Sequence, residues 1–463
     1  MNRRKALKGI GIGASAGLFL PTILTSCKED DPGGPAIDYN GNVLVVGAGV
    51  AGLYVADLLM QKGLNVTVLE ASERIGGRIL SIRGFADFPV ELGADTIRTG
   101  ESLLLKITSE LNIQVSDLAE AREDLFYLNG QTKNAAGWAA DSSFSAAQNF
   151  INNLPFTDTD QSILQAIQEA GITGDAYPLL ESLLGDQLGS DNSRIGINGI
   201  IKSLNLPTNN KFLALANNPL QDIIFSRFSN VLDRIEYNTK VLSVDYSGEE
   251  VTIGTSNGNL TANKVVLTVP VSIIKRGDVN FIPGLPDDKL QALSRIGMDG
   301  AMKMILRFNR NFWGQTTFKV FGGTMIPMYE GAGSVRSSTN RTLIATAFGS
   351  EAEALAGLSD EVIKADLIAE LDAMFEGNAS TNNELNAFIK KDWSADENIG
   401  GGYSYPLPGG SDNDRVILSA PLQDKLYFAG EAANVNGNYG TVHGALESAE
   451  KTVQEIIDSI LAK

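Results

Sequence analysis

A strand, a glycine-rich turn and a helix near the start of the chain constrain its fold more than any other feature. Residues 42–46 (NVLVV) form a continuous aliphatic run, which is typical of a strand buried on both faces. Glycines at 47, 49 and 52 follow in the pattern G-x-G-x-x-G, and apolar residues with helical spacing come after them. A second aliphatic strand, residues 65–69, ends at an acid, Glu70. The sequence therefore predicts a β-turn-α-β unit at residues 42–70.

The same pattern indicates a ligand for this unit. Gly47 would make the tight turn, Gly49 would let a pyrophosphate approach the backbone, and Gly52 would let the helix pack closely on the strand. The start of the helix offers free N–H groups and the positive end of its dipole to phosphates. Glu70 stands where an acid accepts hydrogen bonds from an adenosine ribose. A lone G-x-G-x-x-G is often only a glycine-rich turn, but strand, helix and acid together favour a dinucleotide site.

The overall composition excludes several classes of function. Asp and Glu number 55 against 37 Lys and Arg, a formal net charge of −18, and so acidic a chain is repelled by nucleic acids and anionic membrane surfaces. Cys27 and His443 are the single residues of their types, so a disulfide framework is excluded and no metal site is expected. A length of 463 residues, 43% hydrophobic and 20% charged, is ordinary for a globular protein of about two or three domains.

The first 27 residues resemble an export signal. Arg3 and Arg4 stand in a short basic start that resembles a twin-arginine signal, and a long uncharged run follows it. Residues 24–27 (LTSC) resemble a bacterial lipobox, in which Cys27 is acylated and becomes the mature N-terminus. Residues 28–41 are typical of a flexible linker, and no transmembrane helix is expected after Cys27. We therefore expect an exported lipoprotein, periplasmic or on the cell surface, that contacts the membrane only through its lipid anchor.

Residues beyond the first unit indicate which dinucleotide is bound. Residues 70–78 (EASERIGGR) add a second glycine pair and Arg78 just after the ribose acid, and here the chain closely resembles the flavin-containing amine oxidase family. That family includes monoamine and polyamine oxidases, L-amino-acid oxidases and lysine-specific histone demethylases. Further segments match family motifs, in the family's order, at 90–95 (VELGAD), 235–241 (IEYNTKV), 265–270 (VVLTVP), 281–286 (FIPGLP), 308–313 (FNRNFW), 426–431 (LYFAGE) and 440–448 (GTVHGALES).

The resemblance implies an α/β fold of the two-domain FAD-dependent amine oxidase type. A Rossmann-like FAD domain of the glutathione-reductase type would combine residues 42–120, 225–286 and 415–463. A substrate domain with a mixed sheet and helices would combine residues 121–224 and 287–414. The FAD domain is therefore expected to be assembled from three separated segments.

The resemblance also implies which residues hold the FAD. Residues 425–429 read as a strand before Glu431, whose carboxylate would bond the ribityl hydroxyls. Residues 441–460 have helical periodicity, and N–H groups at the start of this helix would stabilise negative charge on the reduced flavin. His443, at the same start, is expected to be structural. The predicted cofactor-binding residues are Gly47, Gly49, Val50, Ala51, Gly52, Glu70, Ala71, Arg78, Gly93, Ala94, Asp95, Val241, Glu431, Gly440, Thr441 and Val442.

Two residues are predicted to be catalytic. Lys303 stands among apolar neighbours; without context it would be a solvated lysine on a strand, but it falls on the family position that holds a water beside flavin N5. Tyr403 matches an aromatic that packs over the substrate amine, where the alternative is an ordinary core tyrosine. Thr441 occupies the place where many family members carry a second aromatic, so this substrate-binding pair is expected to be incomplete. Gly402 stands where monoamine oxidases carry a flavin-linking Cys, so we expect FAD to bind non-covalently.

Arg98 is the candidate residue for substrate specificity. It lies close to a family position that contacts substrate, and L-amino-acid oxidases carry an Arg nearby that pairs with the substrate carboxylate. An arginine is the natural bidentate partner of a carboxylate. The alternative, that a protein carboxylate neutralises Arg98 in so acidic a chain, stays open.

The predicted function is that of an FAD-dependent oxidase acting on a small-molecule amine or amino acid. A hydride would pass from the amine-bearing carbon to flavin N5, the imine would hydrolyse, and O2 would reoxidise the flavin and give H2O2. The alternative is an FAD-dependent dehydrogenase or desaturase, or a flavin-binding surface protein without redox activity. The sequence leaves the substrate and the oligomeric state open.

Overall fold

The computed structural model describes residues 36–98, 103–117, 123–205, 212–215, 217–334, 336, 339–381 and 384–462. The predicted export signal, with Arg3, Arg4 and Cys27, lies outside the described residues. Among those that are described, no helix is long and apolar enough to cross a membrane.

The described chain contains both runs of consecutive strands and runs of consecutive helices. The strands are β1 (Asn42–Val46), β2 (Asn65–Leu69), β3 (Ser81–Ile82), β4 (Val90–Glu91), β5 (Ile97–Arg98), β6 (Val115–Asp117), β7 (Glu123–Leu128), β8 (Gln131–Asn134), β9 (Phe212–Leu215), β10 (Ile235–Glu236), β11 (Val241–Asp245), β12 (Val251–Thr255), β13 (Gly258–Ala262), β14 (Lys264–Leu267), β15 (Asn280–Ile282), β16 (Ile296–Met298), β17 (Ala301–Phe308), β18 (Thr317–Phe321), β19 (Met328–Gly331), β20 (Thr342–Phe348), β21 (Leu385–Asp392), β22 (Ser404–Pro406) and β23 (Leu426–Phe428).

The α-helices are α1 (Val50–Gln61), α2 (Leu103–Glu110), α3 (Ser142–Asn152), α4 (Ile163–Glu169), α5 (Ala176–Leu180), α6 (Asp186–Leu188), α7 (Ile197–Asn205), α8 (Leu220–Arg227), α9 (Val271–Arg276), α10 (Asp287–Ser294), α11 (Gly349–Leu355), α12 (Asp360–Met374), α13 (Asp412–Ser419) and α14 (Val442–Leu461). A π-helical turn, Glu181–Gly185, joins α5 to α6. The predicted β-turn-α-β unit therefore corresponds to β1, α1 and β2.

A five-stranded parallel sheet organises the nucleotide-binding side of the molecule. Its strand order is β10-β2-β1-β14-β23, so segments far apart in sequence lie side by side. Residues 43–46 of β1 are buried, as expected for a strand covered on both faces. Helices α1 and α14 pack against each other over this sheet, and their apolar residues share one core.

The carboxyl ends of these parallel strands position the nucleotide site. Gly47 follows β1, Glu70 follows β2, Thr268 follows β14 and Gly430 follows β23. Ligands of open parallel sheets bind at this edge, where the loops after the strands converge.

A seven-stranded mixed sheet organises the other side. Its order is β21-β17-β20-β19-β18-β7-β8, and β17 lies between β20 and β21 in antiparallel pairs. Residues 301–306 of β17 are buried, so the one charged residue among these six, Lys303, is enclosed by neighbouring strands. Helices α3 to α7 cover the far end of this sheet through a second apolar core.

Candidate active site

Three glycines shape the loop between β1 and α1. Gly47 has a φ of +106°, in the region that favours glycine, and a Cβ on Gly52 would lie 1.9 Å from the Gly47 carbonyl oxygen. A Cβ on Gly49, in contrast, would meet no atom within 4 Å. Gly49 is also the N-cap of α1 and brings no side-chain cap to the N–H groups of the first turn, where Val50 and Ala51 lie. The loop therefore offers open space and free donors to a phosphate.

A second glycine pair, Gly76 and Gly77, stacks against this loop. The Gly76 amide donates to the Ala48 carbonyl at 2.9 Å, and Gly76 and Gly77 have φ values of +101° and +57°. Arg74 donates to the carbonyl oxygens of Ile75, Ile79 and Gly77 and so fixes the turn. We call Gly47, Gly49, Gly52, Gly76 and Gly77 the glycine cradle.

Glu70 is held at the end of β2, beneath the glycine cradle. Its carboxylate accepts from the Ala48 amide at 2.7 Å and from the Ser72 amide at 2.9 Å. Ala71 lies half-buried between Glu70 and Ser72. The backbone of Glu70 also accepts from the Thr239 amide at 2.8 Å, which brings the segment before Val241 alongside it. These contacts fix the acid at the end of β2, beside the segment that precedes Val241.

A buried ion pair joins the first loop region to the end of β23. Arg78 lies 3.0 Å from Glu431, which is 6% exposed and also accepts from Ser404 Oγ at 2.7 Å and from the Gly440 amide at 2.8 Å. Burial raises the pKa of Glu431, but the Arg78 and Arg415 guanidiniums outweigh it and hold that pKa below its ordinary value. Glu431 is therefore an ionised hub between three separate segments.

A cleft opens beside this hub. Its walls come from Arg78, the residues after β14 and those around Glu431. The cleft thus connects the carboxyl edge of the parallel sheet with the region in front of α14.

Helix α14 begins at this hub. Thr441 is its N-cap and accepts from the Gly444 amide at 3.0 Å, and Val442 is the first helical residue. Gly440, with a φ of +69°, donates to Glu431 and leaves no room for a side chain, because a Cβ there would lie 2.8 Å from the Tyr403 ring. His443 is 8% exposed in the same turn. The positive end of the helix therefore lies between Glu431 and Tyr403.

Tyr403 is half-buried and is packed on several sides. A Cβ on Gly189 would lie 2.4 Å from its ring, and Phe348 packs edge-to-face at 5.2 Å between ring centroids. Thr441 supplies no aromatic ring for a pair with Tyr403. The ring that packs against Tyr403 is that of Phe348. Sequence reasoning missed Phe348, since an apolar residue at the end of a strand carries no signal of its own.

Lys303 points from β17 into a group of charged side chains. It is 6% exposed, and its ammonium donates to Asp95 Oδ2 at 2.6 Å and to the Gly93 carbonyl at 2.9 Å. The neighbouring Ala94 amide donates to the Arg78 carbonyl at 3.2 Å, which ties this loop to the cleft. The sequence placed Gly93, Ala94 and Asp95 at the cofactor, and the structure shows that the Asp95 carboxylate also binds Lys303.

Sequence reasoning missed two further charged residues near this pair. Glu330 on β19 is half-buried, and burial together with the charge of Asp95 raises its pKa. The Arg336 guanidinium donates to the Leu215 carbonyl at 2.9 Å and lies close enough to act on Asp95. We call Asp95, Lys303, Glu330 and Arg336 the charge cluster. A single acid in a strand gives no sequence signal of burial.

Trp393 was also missed. Its indole N–H donates to the Leu92 carbonyl at 2.8 Å, and its own amide donates to the Ala301 carbonyl at 2.9 Å. Trp393 therefore holds the loop after β4 against β17. Its one signal in the sequence was an aromatic residue directly after a strand with charged residues.

The structure places only the backbone of Arg98, which pairs with Phe212 between β5 and β9. Its side chain lies outside the described part of the chain, so its contact with substrate stays a prediction. Within that described part, no group of three or more His, Cys, Asp or Glu residues could hold a metal ion.

The residues at the cleft fit an FAD. The glycine cradle leaves the space that a pyrophosphate fills, two helix starts present positive dipole ends, and Glu70 stands at the ribose position.

Comparison with known sequences agrees with this geometry. The family model of flavin-containing amine oxidoreductases matches residues 50–195 and 218–457. Lysine-specific histone demethylase 2 of Homo sapiens is 27% identical over 450 residues, which cover 90% of this chain and 53% of that protein. Probable polyamine oxidase 4 of Arabidopsis thaliana is 27% identical, over 87% of this chain and 84% of that protein. The chain spans about half the length of this demethylase and of its relative from Mus musculus.

Solved structures share the fold. Cyclohexylamine oxidase from Brevibacterium oxydans superposes with a TM-score of 0.75 at 19% identity, covering 91% of this chain and 100% of that one. A putrescine oxidase redesigned in its cofactor binding superposes with a TM-score of 0.76 at 19% identity, covering 90% of this chain and 99% of that one. The predicted α/β amine oxidase fold is thereby confirmed, and this chain belongs to the flavin-containing amine oxidoreductase family.

Proposed function

We propose that the protein is an FAD-dependent oxidase of a small-molecule amine or amino acid. The substrate would lose a hydride from the carbon that bears its neutral amine, and the resulting imine would hydrolyse to a carbonyl compound and ammonia or an amine. Bound FAD would supply the hydride acceptor and the reaction with O2 that yields H2O2. Membership of the family supports an amine as the reducing substrate.

One observation carries this proposal: the two predicted catalytic residues, Lys303 and Tyr403, both lie near Ala301. Ala301 and Lys303 are two residues apart on β17, so their side chains point to the same face. A Cβ on Gly402 would lie 3.0 Å from the Ala301 Cβ, which sets Tyr403 beside that face. The two predicted catalytic residues are therefore brought near one position of β17, although they are 100 positions apart in the sequence.

The residues of the chain have distinct tasks in this proposal. Tyr403 would offer its ring to the substrate amine and limit how the substrate lies. Lys303 would direct its remaining N–H donor into a partly desolvated site, where hydrogen bonds are stronger than in bulk water. The start of α14 would favour negative charge in front of it.

We further propose that FAD is bound without a covalent link. Gly402 has no nucleophile, and the single Cys of the chain is Cys27, in the predicted lipobox. Acid precipitation should release the flavin into the supernatant. Flavin that stays with the precipitate would contradict the proposal.

The function is tested by purifying the protein with its flavin and measuring H2O2 release across a panel of amines and amino acids. We expect release with part of the panel, and Lys303→Met should keep FAD bound but slow turnover. Tight FAD with no peroxide from any substrate would favour the dehydrogenase, desaturase or redox-inactive alternatives. Unchanged kinetics of Lys303→Met at saturating substrate and O2 would assign Lys303 to structure.

The export signal carries a separate proposal. Arg3, Arg4 and the segment that ends at Cys27 support export of the folded protein and a lipid anchor, on the periplasmic or cell-surface side. Cys27→Ala should abolish incorporation of radiolabelled palmitate and move the protein from the membrane to the aqueous fraction. Labelling that persists in this variant would contradict the proposal.

A further inference from the structure

Lys303 has one direct anionic partner. Its ammonium lies 2.6 Å from Asp95 Oδ2, and among the described residues no other carboxylate lies within 4 Å of it. A second N–H donates to the Gly93 carbonyl at 2.9 Å. Two of the three ammonium donors are therefore committed to one short loop, which fixes the direction of the side chain.

Asp95 is itself held as an anion. Thr96 Oγ1 donates to Asp95 Oδ1 at 2.8 Å, while Lys303 occupies the other oxygen. Burial raises the pKa of Asp95, but the Lys303 ammonium and these hydrogen bonds more than reverse this and leave the pKa below its ordinary value. Both carboxylate oxygens thus accept hydrogen bonds in the ionised form.

The loop that carries Asp95 has little freedom to move. A Cβ on Gly93 would lie 1.9 Å from the Arg78 carbonyl oxygen, so the two backbones are in close contact. Trp393 donates to the carbonyl of Leu92 at 2.8 Å on the other side. Asp95 is therefore fixed relative to Arg78, and through Arg78 relative to the cleft.

Other charged groups around Lys303 have partners elsewhere or lie further away. Glu91 accepts from Ser81 and from the Leu220 amide, and Lys391, opposite Lys303 on β21, pairs with Asp396 at 2.9 Å. The remaining charges that act on the pair are Glu330 on β19 and Arg336.

We propose that Asp95 is the positioning residue of Lys303: its carboxylate pairs with the ammonium and aims it, so that Lys303 donates hydrogen bonds and takes no proton from the substrate. The ammonium proton of the substrate would pass to water, and the neutral amine would then lose a hydride to become an iminium ion. The second part rests on the proposed function, whereas the pairing and aiming of the lysine do not.

The first part is tested by competitive acetylation of the FAD-bound protein with acetic anhydride across pH, with Lys303 followed by mass spectrometry. A buried ammonium without its anion loses its proton more readily. Asp95→Asn should therefore raise the reactivity of Lys303 at pH 8 by about 10- to 1,000-fold, the range expected for one close opposite charge. Asp95→Glu, which keeps a carboxylate, should return it towards the wild-type value.

The matched control is Asp360→Asn, which breaks the more exposed pair between Lys390 and Asp360 at 2.8 Å. This variant should leave the reactivity of Lys303 unchanged. Equal Lys303 reactivity in wild type and Asp95→Asn would overturn the proposal, as would an Asp95→Glu variant that behaves like Asp95→Asn.

The second part is tested by the pH dependence of flavin reduction by substrate under anaerobic conditions. The wild type should show the ionisation of the substrate amine only, and Asp95→Asn should gain a further ionisation between about pH 7 and 10. A wild-type ionisation that disappears in Lys303→Met would show that Lys303 takes the proton and would overturn the proposal. Failure of every amine and amino acid to reduce the flavin would instead refute the proposed function, while the acetylation result would still decide the role of Asp95.

Discussion

The glycine cradle and the charge cluster both belong to the candidate active site but are built differently. The glycine cradle consists of backbone from residues 47–77, and its shape depends on the absence of side chains. The charge cluster consists of side chains from residues 95, 303, 330 and 336, brought together by a loop, two strands of the mixed sheet and the segment after β19. The first is therefore a local structure, and the second exists only in the folded chain.

The difference teaches how each region fails. A glycine in close contact tolerates no added atom, because the atom it would meet is backbone that cannot move aside. Substitution of a buried charge costs more stability the more charged or polar partners it leaves unpaired. Substitutions in the glycine cradle should therefore change folding or FAD binding. Substitutions of charged residues at the site should instead change the ionisation of neighbouring groups and the use of substrate.

The largest effect is expected for Gly52→Ala. The added Cβ would lie 1.9 Å from the Gly47 carbonyl oxygen, so α1 must separate from β1 and the protein should unfold or lose several degrees in Tm even without FAD. Gly49→Ala is the matched control, because its Cβ meets nothing within 4 Å. We expect the apo-protein Tm to stay unchanged and the Kd for FAD to rise. Equal Tm values for the two variants would contradict the expected difference between the two glycine positions.

A smaller but still large effect is expected for Glu431→Gln. It leaves the Arg78 guanidinium without its buried partner, at a cost of about 3–5 kcal/mol in the free energy of unfolding. Because the folded-state pKa of Glu431 is lowered, its stabilisation is complete above its unfolded pKa of about 4.3 and is lost as pH falls through the folded value. Denaturant unfolding should therefore show a gap between wild type and variant that is wide at pH 7 and narrows in acid. A gap independent of pH would contradict this assignment.

An effect on substrate alone is expected for Arg98→Ala if the substrate carries a carboxylate. Loss of a charge-assisted pair in a desolvated pocket costs about 3–4 kcal/mol, which would raise the KM for an amino acid by two to three orders of magnitude. The KM for the matching decarboxylated amine should hardly change. A wild-type preference for the amine over its amino acid would reject the carboxylate hypothesis.

The smallest effect is expected for Glu330→Gln. This variant should raise the stability of the protein, whereas Glu431→Gln should lower it. The folded-state pKa of Glu330 is raised by burial, so Glu330 loses its proton at a lower pH in the unfolded state than in the folded state. The free energy of unfolding therefore falls as pH rises above about 4.3. The variant should match wild type at pH 4 and exceed its Tm at pH 8 by roughly 1–3 °C. A variant less stable than wild type at pH 8 would show that Glu330 is paired after all.

Much of the nucleotide side could be predicted from the sequence. The order of strand, glycines, helix and acid fixed where Gly47, Gly52 and Glu70 would lie, because neighbours in sequence form that unit. Arg78 and Glu431 were each placed at the FAD from separate motifs. Their direct ion pair was not foreseen, because it joins residues 353 positions apart.

The sequence by itself determined the parallel nucleotide-binding unit and the candidates Lys303 and Tyr403, since these depend on local spacing and on motifs in a fixed order. Only the tertiary structure decided that Asp95 binds Lys303, that Phe348 supports Tyr403, and that Glu330 is half-buried beside them. The physical reason is that an isolated acid or apolar residue in a strand gives the same sequence pattern whether it faces water or a cleft. Its burial, and with it the effect of its charge on the site, is set by contacts between segments far apart in the sequence, such as that between Asp95 and Lys303, 208 positions apart.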